Sequence, residues 1–254
     1  VRLFDTHAHL LSEKFDEDRQ ALIAALPSQG ITGLIEIGTD LEYSEKAARL
    51  AEETDYIWAA IGVHPHEAGE APEGEIGRLT ELAKRPGVVA IGEIGLDYHY
   101  DFSPREVQRE VFSRQLALAV QLGLPVIIHM REATQDTLAL LREHKGLRGV
   151  MHCFSGSAET AEICLGLGLH ISFTGTVTFR NARKVVEAAA VVPLSRLMAE
   201  TDCPYLSPEP VRGRRNDPSN VRYVLEKLAG IKGVSLDEMC GINIENAKGL
   251  FGIK

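Results

Sequence analysis

Val88-Val89-Ala90-Ile91-Gly92-Glu93-Ile94-Gly95 is a short β-rich run with a carboxylate near its end, and it resembles Ile31-Thr32-Gly33-Leu34-Ile35-Glu36-Ile37 earlier in the chain. Each run leads into a longer amphipathic stretch, which is the pattern of a βα unit. The intervals between such runs are unequal, so they read as recurring βα units and not as a solenoid repeat. Working outward, the same pattern predicts strands at Leu3–His7, Ile31–Gly38, Ile57–His64, Val88–Gly95, Pro125–His129, Gly149–Phe154, Leu169–Gly175 and Leu197–Asp202. Strands alternating with helices favour a parallel sheet, and eight of them are the number that closes a barrel. The expectation is an α/β protein, a (β/α)8 TIM barrel spanning residues 1–254 as a single domain.

Composition agrees with that size and class. The 254 residues are 44% hydrophobic and 25% charged, which argues against a disordered tail, a collagen-like fibre or a disulfide miniprotein. The longest apolar runs are strand-like, as at Pro125–Ile128, far short of the roughly 18 residues that a membrane helix needs. No membrane association is expected. The chain enters its first strand without a basic n-region or an apolar h-region, so a cytoplasmic address is expected. Cys153, Cys164, Cys203 and Cys240 form no C-x-x-C pair and read as reduced thiols. The net charge of −9 speaks against a nonspecific nucleic-acid coat, so a phosphate substrate would need bound metal ions or a local basic loop.

Helix ends are legible in places. Ser103-Pro104-Arg105-Glu106 reads as a capping box with Ser103 as N-cap, and Ser235-Leu236-Asp237-Glu238 as a second one. Val107, Val111, Leu118 and Leu122 then share one helix face, and Gly123 stops that helix.

Barrel enzymes place their chemistry at strand C-termini, and here those positions carry metal-ligand types. The first strand ends Asp5-Thr6-His7-Ala8-His9, whose alternation puts His7 and His9 on one side. Others end in Glu93, His129, His152 and Asp202. Singly, each could be a hydrogen-bonded core or loop residue. Together they suit Zn²⁺, Mn²⁺ or a similar ion, and six ligands exceed one tetrahedral site, so two metals are the economical reading. Arg131 and the irregular stretch Pro204–Asn220 with Arg212, Arg214 and Arg215 offer guanidinium forks for phosphate, or simply solvated charges. Cys153 and Cys203 are expected to point outward as small buried hydrophobes, one residue from inward ligands. Phe102, Phe179 and Tyr205 could stack on a base; Trp58 reads as core, and His144 and His170 as incidental.

The runs Asp5-Thr6-His7-Ala8-His9-Leu10, Gly62-Val63-His64-Pro65-His66, Gly92-Glu93-Ile94-Gly95-Leu96-Asp97, Ile128-His129-Met130-Arg131-Glu132-Ala133, His152-Cys153-Phe154-Ser155-Gly156 and Glu200-Thr201-Asp202-Cys203-Pro204-Tyr205-Leu206 resemble the TatD family of metal-dependent deoxyribonucleases in the amidohydrolase superfamily. The likeness extends to Asn243-Ile244-Glu245-Asn246-Ala247, so it covers essentially the whole chain. It implies that His7, His9 and Asp202 hold one divalent ion, that His129 and His152 hold a second, and that Glu93 bridges them. The ions would be Mg²⁺, Mn²⁺ or Zn²⁺. Some relatives lack the first histidine pair, which this chain retains. His64 corresponds to a family residue near the substrate and is expected to stand behind the metal ligands or to face the phosphate.

Two such ions can share a hydroxide and make it a nucleophile near neutrality. The resemblance further implies that Asp202 is both ligand and proton acceptor, with DNA phosphodiesters as substrate, at single-stranded 3′ ends. An alternative keeps the site and changes the bond, to an ester such as that of D-aminoacyl-tRNA. Another makes the chain a metal-binding protein without catalysis, which has no need of a proton acceptor or an arginine-rich mouth. A monomer with no obligate protein partner is expected.

Overall fold

The computed structural model describes residues 1–254. All eight expected strands are present: β1 (Leu3–Ala8), β2 (Ile31–Ile37), β3 (Ile57–Ile61), β4 (Val88–Asp97), β5 (Val126–Arg131), β6 (Gly149–Met151), β7 (His170–Phe173) and β8 (Leu197–Ala199). They form one parallel sheet in sequence order. Helices α1 (Arg19–Ala25), α2 (Leu41–Glu53), α3 (Glu75–Leu82), α4 (Arg105–Leu122), α5 (Thr134–Glu143), α6 (Ala158–Gly166), α7 (Arg183–Val191), α8 (Val221–Lys232) and α9 (Leu236–Phe251) complete it as a (β/α)8 barrel. No helix is long and apolar enough to cross a membrane.

Sequence patterning sorts the apolar residues into two cores. The larger joins the outer faces of the strands to the helices, for example Leu34, Ile91 and Ile128 to Phe112 and Leu116. The smaller gathers Phe4, Ile35, Ala60, Ala90, Ile127, Val150 and Met198 inside the barrel. Ala247, Leu250 and Phe251 from α9 join that inner cluster. Each large apolar side chain so buried contributes about 1.5–3 kcal/mol.

β1 and β8 close the barrel by a mixed seam. The Asp202 N–H donates to the His7 carbonyl and the His9 N–H to the Cys203 carbonyl, both at 2.9 Å. Side chains complete it. Asn243 of α9 donates to the Phe4 carbonyl (2.8 Å) and accepts from the Ala199 N–H (2.9 Å), while the Asp5 carboxylate accepts from the Thr201 N–H and hydroxyl.

Several element ends depart from expectation. β3 stops at Ile61 because Gln115 of α4 takes both polar groups of Val63, accepting its N–H at 2.8 Å and donating to its carbonyl at 3.0 Å. β4 runs on to Asp97, paired with Arg131 of β5. Ser103 is not the N-cap of α4: Pro104 occupies that place with no side-chain cap, and the Ser103 hydroxyl accepts from Gly69 N–H and donates to the His66 carbonyl, both at 2.8 Å. A long-range tie displaces the local cap. Ser235 does cap α9 by accepting from Glu238 N–H, and Gly123 closes α4 in the left-handed region at φ 67°.

Two predictions follow from the packing. Asn243→Ala strands two buried backbone groups at the seam, so urea unfolding is expected to show a loss of about 2–5 kcal/mol. A change under about 0.5 kcal/mol would mean that backbone bonds alone hold β1 to β8. Second, burial, aided by the nearby Arg196, lowers the His170 pKa from 6.5 to about 4, and its Nδ1 lacks a partner. The unfolded chain therefore takes up a proton below pH 6.5 that the folded chain refuses until about pH 4. Stability is unaffected above that window and falls through it, by at most about 3 kcal/mol. Thermal unfolding of His170→Phe against pH is expected to lose this acid slope; an unchanged slope would assign it to other groups.

Candidate metal centre

The strands deliver their ligands by two different routes. On β5 and β6, alternation suffices: Ile127 and Val150 face the interior, and His129 and His152, two residues on, reach the site. On β1 and β4 it does not, because His7 and Glu93 lie three residues beyond the inward Phe4 and Ala90. Register shifts between Asp5 and Ala8 and between Ile91 and Ile94 make up the odd residue, so both side chains turn inward. Gly95 lets β4 come close to β5, since a Cβ there would lie 1.9 Å from the His129 carbonyl oxygen. Past β6 and β8, Cys153 and Asp202 adopt left-handed φ of 44° and 54°. Such strain in non-glycine residues concentrates at functional sites.

Glu93 is the hub. Its Oε1 lies 2.8 Å from His129 Nδ1, 2.8 Å from His152 Nε2 and 3.4 Å from His64 Nε2. Its Oε2 lies 3.3 Å from His7 Nε2 and 3.8 Å from His9 Nε2. Asp202 Oδ1 sits 3.4 Å from His9 Nε2 and 3.6 Å from His7 Nε2, and the two Nε2 atoms are 3.1 Å apart. All six expected ligands are thus brought together, with His64 beside them. The metal-competent groupings are His7/Glu93/His152, His7/His9/Asp202 and His64/Glu93/His129, two of them sharing Glu93, which makes the centre binuclear.

The tautomers test whether metal fits. His129 turns Nε2 towards Asp97 (3.0 Å) and His152 turns Nδ1 towards Glu200 (3.1 Å). A carboxylate partner is a hydrogen-bond acceptor, so each ring carries its proton on that side and aims a lone pair at Glu93. Lone pairs facing a carboxylate repel unless a proton or a metal ion stands between them, and convergent imidazole and carboxylate donors are the set that a divalent ion takes. His64 is built the other way. Its Nδ1 accepts from His66 N–H at 3.1 Å, so the neutral ring carries its proton on Nε2 and donates to Glu93. Burial lowers the His64 pKa to about 4, which keeps that ring neutral. In this tautomer it orients the bridging carboxylate through its Nε2–H and leaves Glu93 and His129 as the donors of that grouping.

Without an ion the rings can instead take up a second proton: burial works against it, but Glu93, Asp97 and Glu200 raise the pKa of His129 and His152, and the charged imidazoles in turn hold Glu93 well below the usual carboxylate range against its own burial. Asp202 is likewise pushed up by burial and pulled down by the His9 hydrogen bond and its neighbours, with a net lowering. Cys153 is half-buried beside Thr174 Oγ1 (3.6 Å), and burial pushes its thiol up to about 12, so it is no thiolate. Cys203 is buried in the outer core as expected.

The arginines separate. Arg131 is exposed at the end of β5, its guanidinium 4.7 Å from the centre of the Tyr100 ring. Arg215 is held bidentately by Asp18 (2.7 and 2.6 Å) and Arg212 lies over Phe179 (4.0 Å). Arg214 is exposed and has no ion-pair partner. Asp97, Glu200 and His66 lie within the motifs, but their place around the centre was not anticipated. The signal was the strand-end position of Asp97 and the alternation that places Glu200 beside Asp202.

A profile described as TatD related DNase matches residues 4–252. The chain is 46% identical to the uncharacterized metal-dependent hydrolase YabD of Bacillus subtilis, over 99% of each. It is 37% identical to the 3′-5′ ssDNA/RNA exonuclease TatD of Erwinia amylovora, over 99% of this chain and 100% of that one. The crystal structure of YjjV, a TatD homolog from Escherichia coli K12, superposes with a TM-score of 0.93 at 31% identity, covering 100% of this chain and 99% of the other.

Asp97→Asn places an amide N–H against the imidazole N–H groups of His66 and His129. Zn²⁺ affinity, measured by competition with a chelating dye, is expected to fall about 10–100-fold. Equal affinity would show that Asp97 does not set the His129 tautomer.

Proposed function

The chain belongs to the TatD related DNase family, and from that premise we propose that this metal-dependent hydrolase cleaves phosphodiester bonds of DNA, working from single-stranded 3′ ends. The observation that carries the reading is the pair of outward carboxylates, Asp97 and Glu200, which leave His129 and His152 with lone pairs converging on Glu93. His7, His9, Asp202, His129, His152 and Glu93 would hold two divalent ions, which when bound supply Lewis acidity towards phosphoryl oxygens and acidify a water.

The chain's own residues do the rest. Asp202, ionised and at the open side of the cluster, accepts the proton of the attacking water. His64 holds Glu93 in place through its Nε2–H. Arg131 and Arg214 bind phosphate oxygens, whereas Arg212 and Arg215, already engaged with Phe179 and Asp18, hold the loop that follows β8. Every ligand comes from one chain, which suits a monomer in which residues 1–254 act as one unit. Four free thiols suit the cytoplasm. The acidic net charge of −9 suits modest, salt-sensitive DNA affinity.

Metal-stripped protein incubated with 5′-labelled single-stranded DNA is expected to be inert until Mg²⁺, Mn²⁺ or Zn²⁺ is added, and Glu93→Ala to stay inert. Asp202→Asn should lower kcat by about 10²–10⁴-fold. Release of the amino acid from D-aminoacyl-tRNA with DNA left intact would move the function to carboxylic-ester hydrolysis on the same centre.

A further inference from the structure

The large apolar side chains left exposed include only three aromatic rings, Tyr100, Phe102 and Tyr205, at 48%, 69% and 47% exposure. All three stand on loops that follow β4 and β8, at the end of the barrel that carries the metal ligands. Apolar rings scattered by chance would not all face one mouth. Tyr205 lies on one side beneath Lys14 (4.4 Å). On the other, Tyr100 and Phe102 stack at 5.2 Å with planes 20° apart, and His66 meets both edge-on at 5.4 and 4.8 Å.

The loop beneath the pair is tightly built. Asp97 Oδ1 accepts from the N–H groups of His99 (3.0 Å) and Tyr100 (2.9 Å). Gln108 donates to the carbonyls of Asp97 and Ser103, and Asp101, between the two rings, takes a left-handed φ of 52°. Bonds at both ends and a strained residue in the middle hold two apolar rings out in water, an arrangement that packing alone does not reward. The pair is also continuous with the centre. His66 lies 4.3 Å from His64, which reaches Glu93, and Arg131 sits over Tyr100.

Building on the phosphodiesterase reading, we propose that Phe102 and Tyr100 form a shelf on which one unpaired nucleobase of the substrate strand stacks, with that nucleotide's phosphate against Arg131. The chemistry selects this occupant. A nucleobase offers a flat π face to Phe102, and Arg131 beside the ring supplies the cation its phosphate needs. In a duplex both faces of an internal base are covered, so the shelf admits single strands. Phe102 has no hydrogen-bonding group, so base identity is read only through stacking area, purine over pyrimidine.

The test uses the full chain with Mn²⁺ and 5′-labelled single-stranded oligodeoxynucleotides in which an abasic residue is moved one position at a time from the 3′ end. For the wild type, one position is expected to raise KM about 10-fold or more when its base is removed. Phe102→Ala should raise KM for the intact strand by a similar factor, with the change confined to KM, and should flatten the abasic scan; Phe102→Trp should restore it. A Phe102→Ala KM within about twofold of wild type, or an abasic scan unaltered by the substitution, overturns the shelf. If the wild type cleaves no DNA, the phosphodiesterase reading fails and the shelf is judged separately. Metal-free protein is then titrated with a 2-aminopurine oligonucleotide: quenching that Phe102→Ala abolishes supports the shelf, and no quenching overturns it.

Discussion

The seam between β1 and β8 is the constraint on which the rest depends. These two strands are the farthest apart in sequence, and their contact is made by backbone bonds from Asp202 to His7 and from His9 to Cys203. The bonds that close the barrel are therefore bonds between ligand-bearing segments. Closure cannot occur without bringing His7, His9 and Asp202 together, and these residues cannot meet without closure. Asp5, Thr201 and Asn243 reinforce the seam with buried side-chain bonds, so its geometry is over-determined. That redundancy is what sustains a left-handed backbone at Asp202.

Around this frame the charges are layered. Imidazoles form the inner ring about Glu93, and carboxylates that never touch it, Asp97 and Glu200, stand behind His129 and His152. The outer carboxylates decide which nitrogen of each ring is free, and so what the inner ring can bind. His64 shows the same logic reversed by a single backbone N–H. Histidines that all face one carboxylate thus differ in what they offer it because of atoms on their far sides.

Much of this was legible from residue order. Strand-to-helix alternation located all eight strands, and the strand ends picked out the six side chains that the centre brings together, because both signals are local. Ser235 and Gly123 were legible for the same reason. Ser103 was not, since its hydroxyl is engaged by Gly69 and His66, which are distant in sequence. Nor could simple alternation predict that His7 and Glu93 face inward, which depends on register shifts against neighbouring strands. The placement of Asp97, Glu200, Arg212 and Arg215 rests on long-range partners, such as Asp18 for Arg215, that no local spacing encodes.

The position of α9 bears on how the molecule comes into being. Its Asn243 joins β1 to β8, and Leu250 and Phe251 join the inner core, so a helix made after all eight strands is the one that completes the barrel. During synthesis His7 and His9 emerge well before the carboxylate of Asp202 and the amide of Asn243 that they need. A nascent chain therefore carries thiols and imidazoles able to capture stray metal long before the proper centre exists. The donor set of the centre is complete only once the barrel has closed.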